Sequence, residues 1–174
     1  MKDVRVPDGF RLERLKRSHP RKDFLSGQLP VDHWLRTKAL QNQEKRLSVT
    51  KVLLADSGSI AGYFTLATGQ VDFSSLPIEI AKNLPHRLLP VAVLAWLGVA
   101  TAFQGRGLGR LLLVPALRDC HDAGKTFAFV AVVLDCINED AKRFYQQWEF
   151  AELPEQLFRL FLSSAQLDAM VETA

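Results

Sequence analysis

Cysteine and long hydrophobic runs are both scarce in this sequence. Only Cys120 and Cys136 occur among 174 residues, and neither has the Cys/His spacing of a metal site, so we expect two reduced thiols and no bound metal. The longest apolar run, residues 88–103, is interrupted by Pro90 and Thr101 and falls short of the roughly 20 residues that a membrane span needs. No hydrophobic leader follows Met1. We therefore expect a cytoplasmic protein that does not bind membranes.

The length and composition indicate one folded domain. Hydrophobic residues make up 48% and charged residues 24% of the chain, which excludes global disorder. No repeat, low-complexity tract or linker rich in proline, glycine and serine divides the sequence. We expect a single domain over residues 1–174.

Charge is unevenly distributed along the chain. Residues 1–51 hold 13 of the 22 Lys+Arg but only 6 of the 19 Asp+Glu, a local excess of +7. This asymmetry is consistent either with a basic face that binds phosphate or with a solvated surface that binds nothing. Aromatic residues are sparse in this region, so contact with a phosphate backbone is favoured over stacking on unpaired bases.

The hydrophobic pattern predicts alternating strands and helices. Strands are expected at residues 10–15, 48–55, 60–71, 91–99, 126–134, 150–153 and 157–162. Helices are expected at residues 31–47 and 138–147, and a further helix opens at the segment 104–109 and ends near Gly124. Residues 72–90, with three prolines, are expected to be irregular. The order β-α-β-β-β-α-β-α-β-β predicts an α/β fold with a mixed sheet.

The segment Q-G-R-G-L-G at residues 104–109 lies between a buried strand and a helix. Glycines permit close approach of a ligand, and the free N–H groups of a helix's first turn attract anions, so this loop can bind phosphate. Tight packing of strand against helix is the alternative explanation. A P-loop is excluded because no Gly-Lys-Ser/Thr follows, and the loop lacks the chain position and the acidic residue of a dinucleotide fingerprint.

Q-G-R-G-L-G resembles the Q/R-x-x-G-x-G/A signature of GNAT-superfamily N-acetyltransferases. N-E-D-A-K-R-F-Y-Q-Q-W-E-F at residues 138–150 is similar to a second element of that superfamily. The resemblance covers residues 10–162 and implies the GNAT fold, a mostly antiparallel mixed sheet flanked by helices. It also implies acetyl-CoA as cosubstrate, with its pyrophosphate at the glycine loop.

Four further segments resemble the GNAT toxins of bacterial toxin–antitoxin pairs. They are D-F-L-S-G (residues 23–27), D-H-W-L (32–35), A-G-Y-F-T-L (61–66) and R-L-F-L (159–162). The resemblance implies transfer of acetyl to the α-amine of the amino acid on charged tRNA, which blocks translation. It further implies a ribbon-helix-helix antitoxin as partner, and it suggests a homodimer.

The resemblance assigns acetyl-CoA to two stretches of chain and one helix. A splayed strand end would bind the pantetheine arm, the loop would bind the pyrophosphate, and Asn138 on the same helix face as Tyr145 would position the cofactor. The cofactor-binding residues are thus expected to be Leu97, Gly98, Val99, Gln104, Gly105, Arg106, Gly107, Leu108, Gly109, Arg110, Asn138 and Tyr145. Tyr145 is the expected catalytic acid, because a phenol stays protonated at neutral pH and can protonate the leaving thiolate; a purely structural aromatic is the alternative.

The absence of an obvious general base in the sequence favours an α-amine as the acceptor of the acetyl group. An α-amine, with a pKa of roughly 7.7–8.0, is partly neutral at pH 7, whereas a lysine side chain needs a base. His19, His33, His86 and His121 are scattered and offer no obvious base, although Glu149 or a water could serve.

The basic residues expected to contact tRNA are Arg36, Lys38, Lys45 and Arg46, if they lie on the exposed side of the helix at residues 31–47.

Several positions depart from the family pattern. Trp96 and Ala100 stand where these toxins more often have Arg and Asp, Glu149 replaces a glycine, and Pro115 should kink the helix after the loop. Two other functions therefore stay open. One is a GNAT enzyme that acetylates a small amine or a protein amine, and the other is a non-catalytic acyl-CoA-binding module that joins an antitoxin.

Overall fold

Strands of alternating or continuous apolar residues build one seven-stranded sheet. The computed structural model describes residues 6–172, and its strand order is β1-β2-β3-β4-β5-β7-β6. The strands are β1 (Phe10–Arg14), β2 (Val49–Ala55), β3 (Ile60–Asp72), β4 (Leu88–Val99), β5 (Ala131–Asp135), β6 (Ala151–Leu153) and β7 (Gln156–Ser163). Pairs β1–β2, β2–β3, β5–β7 and β6–β7 are antiparallel, whereas β4–β5 is parallel, with Val91 opposite Ala131. The predicted mixed, mostly antiparallel sheet is confirmed.

The helices are α1 (Leu29–His33), α2 (Ala39–Glu44), α3 (Ile78–Ala81), α4 (Leu108–Gly124), α5 (Glu139–Gln146) and α6 (Ser164–Glu172). A π-helical turn, Trp34–Lys38, joins α1 to α2, so the single helix predicted at residues 31–47 is in fact three short segments. Helix α4 continues through Pro115, as expected for a helix that ends near Gly124. Helix α6 was not predicted, and in the part of the chain described it is the last element.

The strand predicted to begin at residue 126 begins only at Ala131. Residues 126 and 127 instead close the end of α4: the Thr126 and Phe127 N–H groups both donate to the Ala123 carbonyl, at 3.0 and 2.8 Å. Phe127 is consequently 78% exposed. The apolar residues at this segment predicted a strand, but backbone hydrogen bonds make its first residues part of the end of α4.

The chain divides into two compact units with separate hydrophobic cores. The amino-terminal unit comprises residues 6–67 and 94–117, and the carboxy-terminal unit comprises residues 68–93 and 118–172. A hydrophobic core cluster of the first includes Leu35, Val52 and Tyr63, all fully buried. The core of the second includes Ala131, Val133 and Phe161. Cys120 and Cys136 are free, buried thiols, as expected.

Across residues 6–172, no helix is both long and apolar enough to cross a bilayer.

Candidate active site

The glycine loop leaves open space above its backbone. Gly105 and Gly107 have φ values of +75° and +74°, in the region that favours glycine, and a Cβ atom at either position would meet nothing within 4 Å. Residues 104–107 are exposed. The loop therefore combines a backbone shape that needs glycine with free access for a ligand.

Helix α4 begins immediately after this loop. Leu108 is 5% exposed and anchors the helix start, so only its backbone can contact a ligand there. No acidic residue lies in the first turn, and Arg110 is exposed. The Arg106 guanidinium lies 5.6 Å from the centre of the Phe103 ring. Free N–H groups, the helix dipole and two arginines make this helix start suitable for an anion.

Gln104 holds the loop to the strand that precedes it. Its side-chain Nε2 donates to the Val99 carbonyl at 3.0 Å and to the Ser26 carbonyl at 2.8 Å. The side-chain amide is thus already bonded within the protein. These two bonds position the loop, and the predicted contact of Gln104 with the cofactor stays a prediction.

The end of β4 is closely packed at a glycine. A Cβ on Gly98 would lie 2.5 Å from Val31 Cγ1 and 3.3 Å from Tyr63 Cε1. A Cβ on Gly62 of β3 would lie 2.9 Å from the Gly98 carbonyl oxygen. All three distances are shorter than ordinary van der Waals contact, so the close packing of the strand end requires glycine at both positions.

We expect Gly98→Ala to destabilise the protein by about 1–3 kcal/mol, because the new methyl group overlaps a buried valine methyl. Urea unfolding monitored by tryptophan fluorescence measures the change. Val31→Ala removes the clashing methyl, so the double variant Gly98→Ala/Val31→Ala should lose less stability than the sum of the two single variants. Additive losses would mean that the clash with Val31 is not the cause.

Three of the four toxin-like segments meet around this strand end. Tyr63 of A-G-Y-F-T-L is fully buried and donates its hydroxyl to the Val31 carbonyl at 2.7 Å. The ring of Phe24, from D-F-L-S-G, packs edge-on against Tyr63 at 5.3 Å. Asp32 of D-H-W-L accepts hydrogen bonds from Ser26. These segments are therefore parts of one structural cluster; R-L-F-L lies in β7.

The unusual Trp96 has a partner of its own type. Trp34 and Trp96 stack with ring centres 5.4 Å apart and an interplanar angle of 18°. Trp34 Nε1 also donates to Thr65 Oγ1 at 3.2 Å. Ala100, the other unusual residue in this strand region, is 8% exposed and donates its N–H to the Ala61 carbonyl. Both departures from the family pattern are accommodated by local packing.

Tyr145 lies on α5 in the carboxy-terminal unit. It is 8% exposed and packs edge-on against Phe144 and Phe150, with ring centres 5.1 and 5.9 Å away. Burial raises the pKa of the Tyr145 phenol above its usual range, and the nearby Cys136 adds to this effect. The phenol is therefore protonated at neutral pH.

Asn138 was predicted to be the first residue of the helix that holds Tyr145, but it lies one position before α5. Its φ and ψ of −163° and 178° are extended, so it precedes α5 as the N-cap, and its side-chain oxygen accepts from the Ala141 N–H at 2.9 Å. At the other end of α5, Glu149 takes φ +64°, so the turn is formed without glycine. The Asn138 side-chain oxygen is therefore bonded to the backbone of α5, and its predicted contact with the cofactor stays a prediction.

The four basic residues predicted to bind tRNA do not form one exposed row. Arg36 is half-buried, and its guanidinium Nε and Nη2 both donate to the Phe24 carbonyl, so it is committed to the fold. Lys38, Lys45 and Arg46 are exposed. Lys45 caps α2 and Arg46 has φ +59°, which places them at the helix end rather than along its side.

A family model described as "Acetyltransferase (GNAT) family" matches residues 13–150. Together with the mixed seven-stranded sheet, this match defines the protein as an acetyl-CoA-dependent N-acetyltransferase. A "tRNA-acetylating toxin" of Mycobacterium tuberculosis (strain ATCC 25618 / H37Rv) is 31% identical over 148 residues, covering 85% of this chain and 88% of that protein. The chain belongs to the GNAT acetyltransferase family.

Solved structures show the same fold at lower identity. AtaT complexed with acetyl-methionyl-tRNAfMet has a TM-score of 0.85 at 20% identity, covering 93% of this chain and 99% of that one. A crystal structure of a Tyr-to-Phe variant of KacT has a TM-score of 0.86 at 21% identity, with the same coverage. The predicted GNAT fold is confirmed.

Proposed function

We propose that this enzyme transfers acetyl from acetyl-CoA to the α-amine of the amino acid on charged tRNA. Such transfer would block translation, as the toxin of a toxin–antitoxin pair. The observation that carries the proposal is the 31% identity, over 85% of the chain, to a tRNA-acetylating toxin. The fold shared with AtaT, solved with acetyl-methionyl-tRNAfMet, is consistent with it.

Acetyl-CoA would bind mainly through the amino-terminal unit. The backbone of residues 105–110 would hold the pyrophosphate, with Arg106 and Arg110 adding positive charge. The pantetheine arm would bind along Leu97, Gly98 and Val99, whose backbone position depends on the close packing at Gly98. The open loop above the two glycines and the anion-attracting start of α4 support this assignment.

In the reaction, the amine nitrogen attacks the thioester carbonyl carbon and the C–S bond breaks. Tyr145 would then give its phenolic proton to the leaving thiolate, while the new amide loses its extra proton to water. The raised pKa keeps the Tyr145 phenol protonated at neutral pH but also makes it a weaker acid, so this role rests on the family resemblance and not on the shift. An α-amine acceptor needs no strong base, which agrees with the absence of an obvious one in the sequence.

Charged tRNA would bind through exposed basic residues at the two ends of α2, with Lys38 before the helix and Lys45 and Arg46 after it. Lys38, Lys45 and Arg46 are free to contact phosphates, and Lys38 and Lys45 show no side-chain partner among the interactions described for residues 6–172. Arg36 is left out of this surface because it bonds the Phe24 carbonyl. Phosphate contacts of this kind position the tRNA without reading its sequence.

Partners follow by analogy with the related structures. AtaT has been solved bound to the C-terminus of its antitoxin AtaR, and a KacTA–DNA complex is also known. We propose that this protein binds a ribbon-helix-helix antitoxin, forms a homodimer and acts in the cytoplasm. We also propose that its two units together make one acetyltransferase domain.

The direct test is transfer of labelled acetyl from acetyl-CoA to purified charged tRNA, with deacylated tRNA as control. Label that appears only on charged tRNA is the expected result. Label on polyamines or protein amines, but none on charged tRNA, would select the small-amine or protein acetyltransferase instead. Binding of acetyl-CoA without transfer to any of these acceptors would select the non-catalytic module.

A further inference from the structure

A buried carboxylate in α1 has one oxygen committed and one left over. Asp32 is 1% exposed, and its Oδ1 accepts from the Ser26 N–H at 2.8 Å and from the Ser26 hydroxyl at 2.6 Å. Its Oδ2 is buried and has no hydrogen-bond partner in the protein. A buried carboxylate is costly unless it is well bonded, so its two bonds to Ser26 hold that residue strongly.

Ser26 passes this constraint to the glycine loop. The Ser26 carbonyl accepts from Gln104 Nε2 at 2.8 Å, and the same Nε2 donates to the Val99 carbonyl at 3.0 Å. One residue earlier, the Leu25 carbonyl accepts from the Thr101 N–H at 2.8 Å. The hydrogen bonds therefore run without interruption from α1, through residues 25 and 26, to both ends of the turn that joins β4 to the loop.

Residues 24–28 have no regular secondary structure of their own. Their position depends on side chains: Asp32 holds the Ser26 N–H, and Arg36 donates to the Phe24 carbonyl. The loop at residues 104–107 is exposed and rich in glycine, so it too has few contacts that order it. A loop of this kind binds an anion well only if it is ordered before the ligand arrives.

We propose that Asp32 is a positioning residue for acetyl-CoA binding, acting through Ser26 and Gln104 to order the pyrophosphate loop. This inference rests on the proposed acetyl-CoA site, but it does not depend on which amine is acetylated. Asp32 and Ser26 touch no reacting atom; they fix the residue at which the loop begins.

The test compares Gln104→Met, Ser26→Ala and Asp32→Asn, using acetyl-CoA itself as the probe. Gln104→Met removes both donated hydrogen bonds. The protein should still fold normally, because methionine has a similar length and the side chain is exposed. We expect the Kd for acetyl-CoA, measured by calorimetry, to rise about tenfold in Gln104→Met, because two hydrogen bonds are lost. The KM for acetyl-CoA should rise with it, while kcat at saturating acetyl-CoA changes by less than about threefold.

Coupling between the positions separates positioning from a merely structural role. If Asp32 acts through Gln104, Asp32→Asn combined with Gln104→Met should raise the Kd no further than Gln104→Met alone. Amide hydrogen exchange of residues 104–110 should also quicken in all three variants before ligand is added. Two outcomes would overturn the proposal. One is that the increases in Kd caused by Asp32→Asn and Gln104→Met add up in the double variant. The other is a fall in thermal stability with no change in Kd or in amide exchange.

Arg106→Glu separates this proposal from the underlying site. If the loop binds the pyrophosphate, this charge reversal must weaken acetyl-CoA binding on its own. A normal Kd in Arg106→Glu would mean that the proposed cofactor site is wrong. A raised Kd in Arg106→Glu, together with a normal Kd in the Ser26 and Gln104 variants, would mean that only the positioning role is wrong.

Discussion

Tyr145→Phe is expected to lower kcat at least 100-fold while leaving acetyl-CoA binding unchanged. The substitution removes only the phenolic proton donor, and the ring can keep its packing against Phe144 and Phe150. Loss of a positioned general acid typically costs about 10²–10⁴ in rate. Single-turnover transfer of labelled acetyl, together with calorimetric binding of acetyl-CoA, measures both quantities.

The chain provides a matched control, because its only other tyrosine is Tyr63. Tyr63→Phe makes the same chemical change but removes a buried hydrogen bond to the Val31 carbonyl. That variant should lose about 1 kcal/mol of folding stability and little of its kcat. Undiminished turnover in Tyr145→Phe, or an equal loss of kcat in both variants, would remove Tyr145 from the mechanism.

The pH dependence of Tyr145 has a defined sign. Because burial raises the pKa of the phenol, the donor stays protonated well beyond neutral pH. Activity should therefore rise from pH 6 to pH 8 as the acceptor amine becomes neutral, without a fall caused by ionisation of Tyr145 in that range.

Reversal of charge at Lys38 and Lys45 should raise the KM for charged tRNA roughly 10- to 100-fold, because two phosphate contacts become repulsive. The KM for acetyl-CoA should not change. Both lysines are exposed, so their replacement by Glu leaves the core intact. The KM for tRNA should also depend less on salt between about 50 and 200 mM. The slope of log KM against log salt concentration should fall by nearly one for each lysine replaced.

Lys82→Glu/Arg87→Glu is the matched control, since it makes the same change in net charge at exposed positions of the carboxy-terminal unit. Its KM for tRNA should stay within about threefold of the wild-type value. An equal rise in the KM for tRNA in both double variants would show that net charge, rather than the positions of Lys38 and Lys45, governs tRNA binding. Arg36 is unsuitable for this test because its reversal would break the bonds to the Phe24 carbonyl.

Local features of the chain were sufficient to predict the order of the strands and the glycine loop. Alternating residues in β1 and the apolar runs of β4 and β5 carry their periodicity in adjacent residues. Gly105 and Gly107 are likewise of the residue type that positive φ values favour. Errors arose where local backbone bonding competed with pattern, as at Thr126 and Phe127, whose N–H groups extend the end of α4.

The sequence alone determined the family, the order of the strands and the place of the glycine loop, because each depends on residues close together in the chain. Only the tertiary structure decided that Arg36 points to the Phe24 carbonyl instead of outward. It also showed that Ser26, Asp32 and Gln104 form one hydrogen-bonded chain. Residues 26 and 104 are 78 positions apart, and contacts over such separations depend on how the whole chain packs, which no local pattern records.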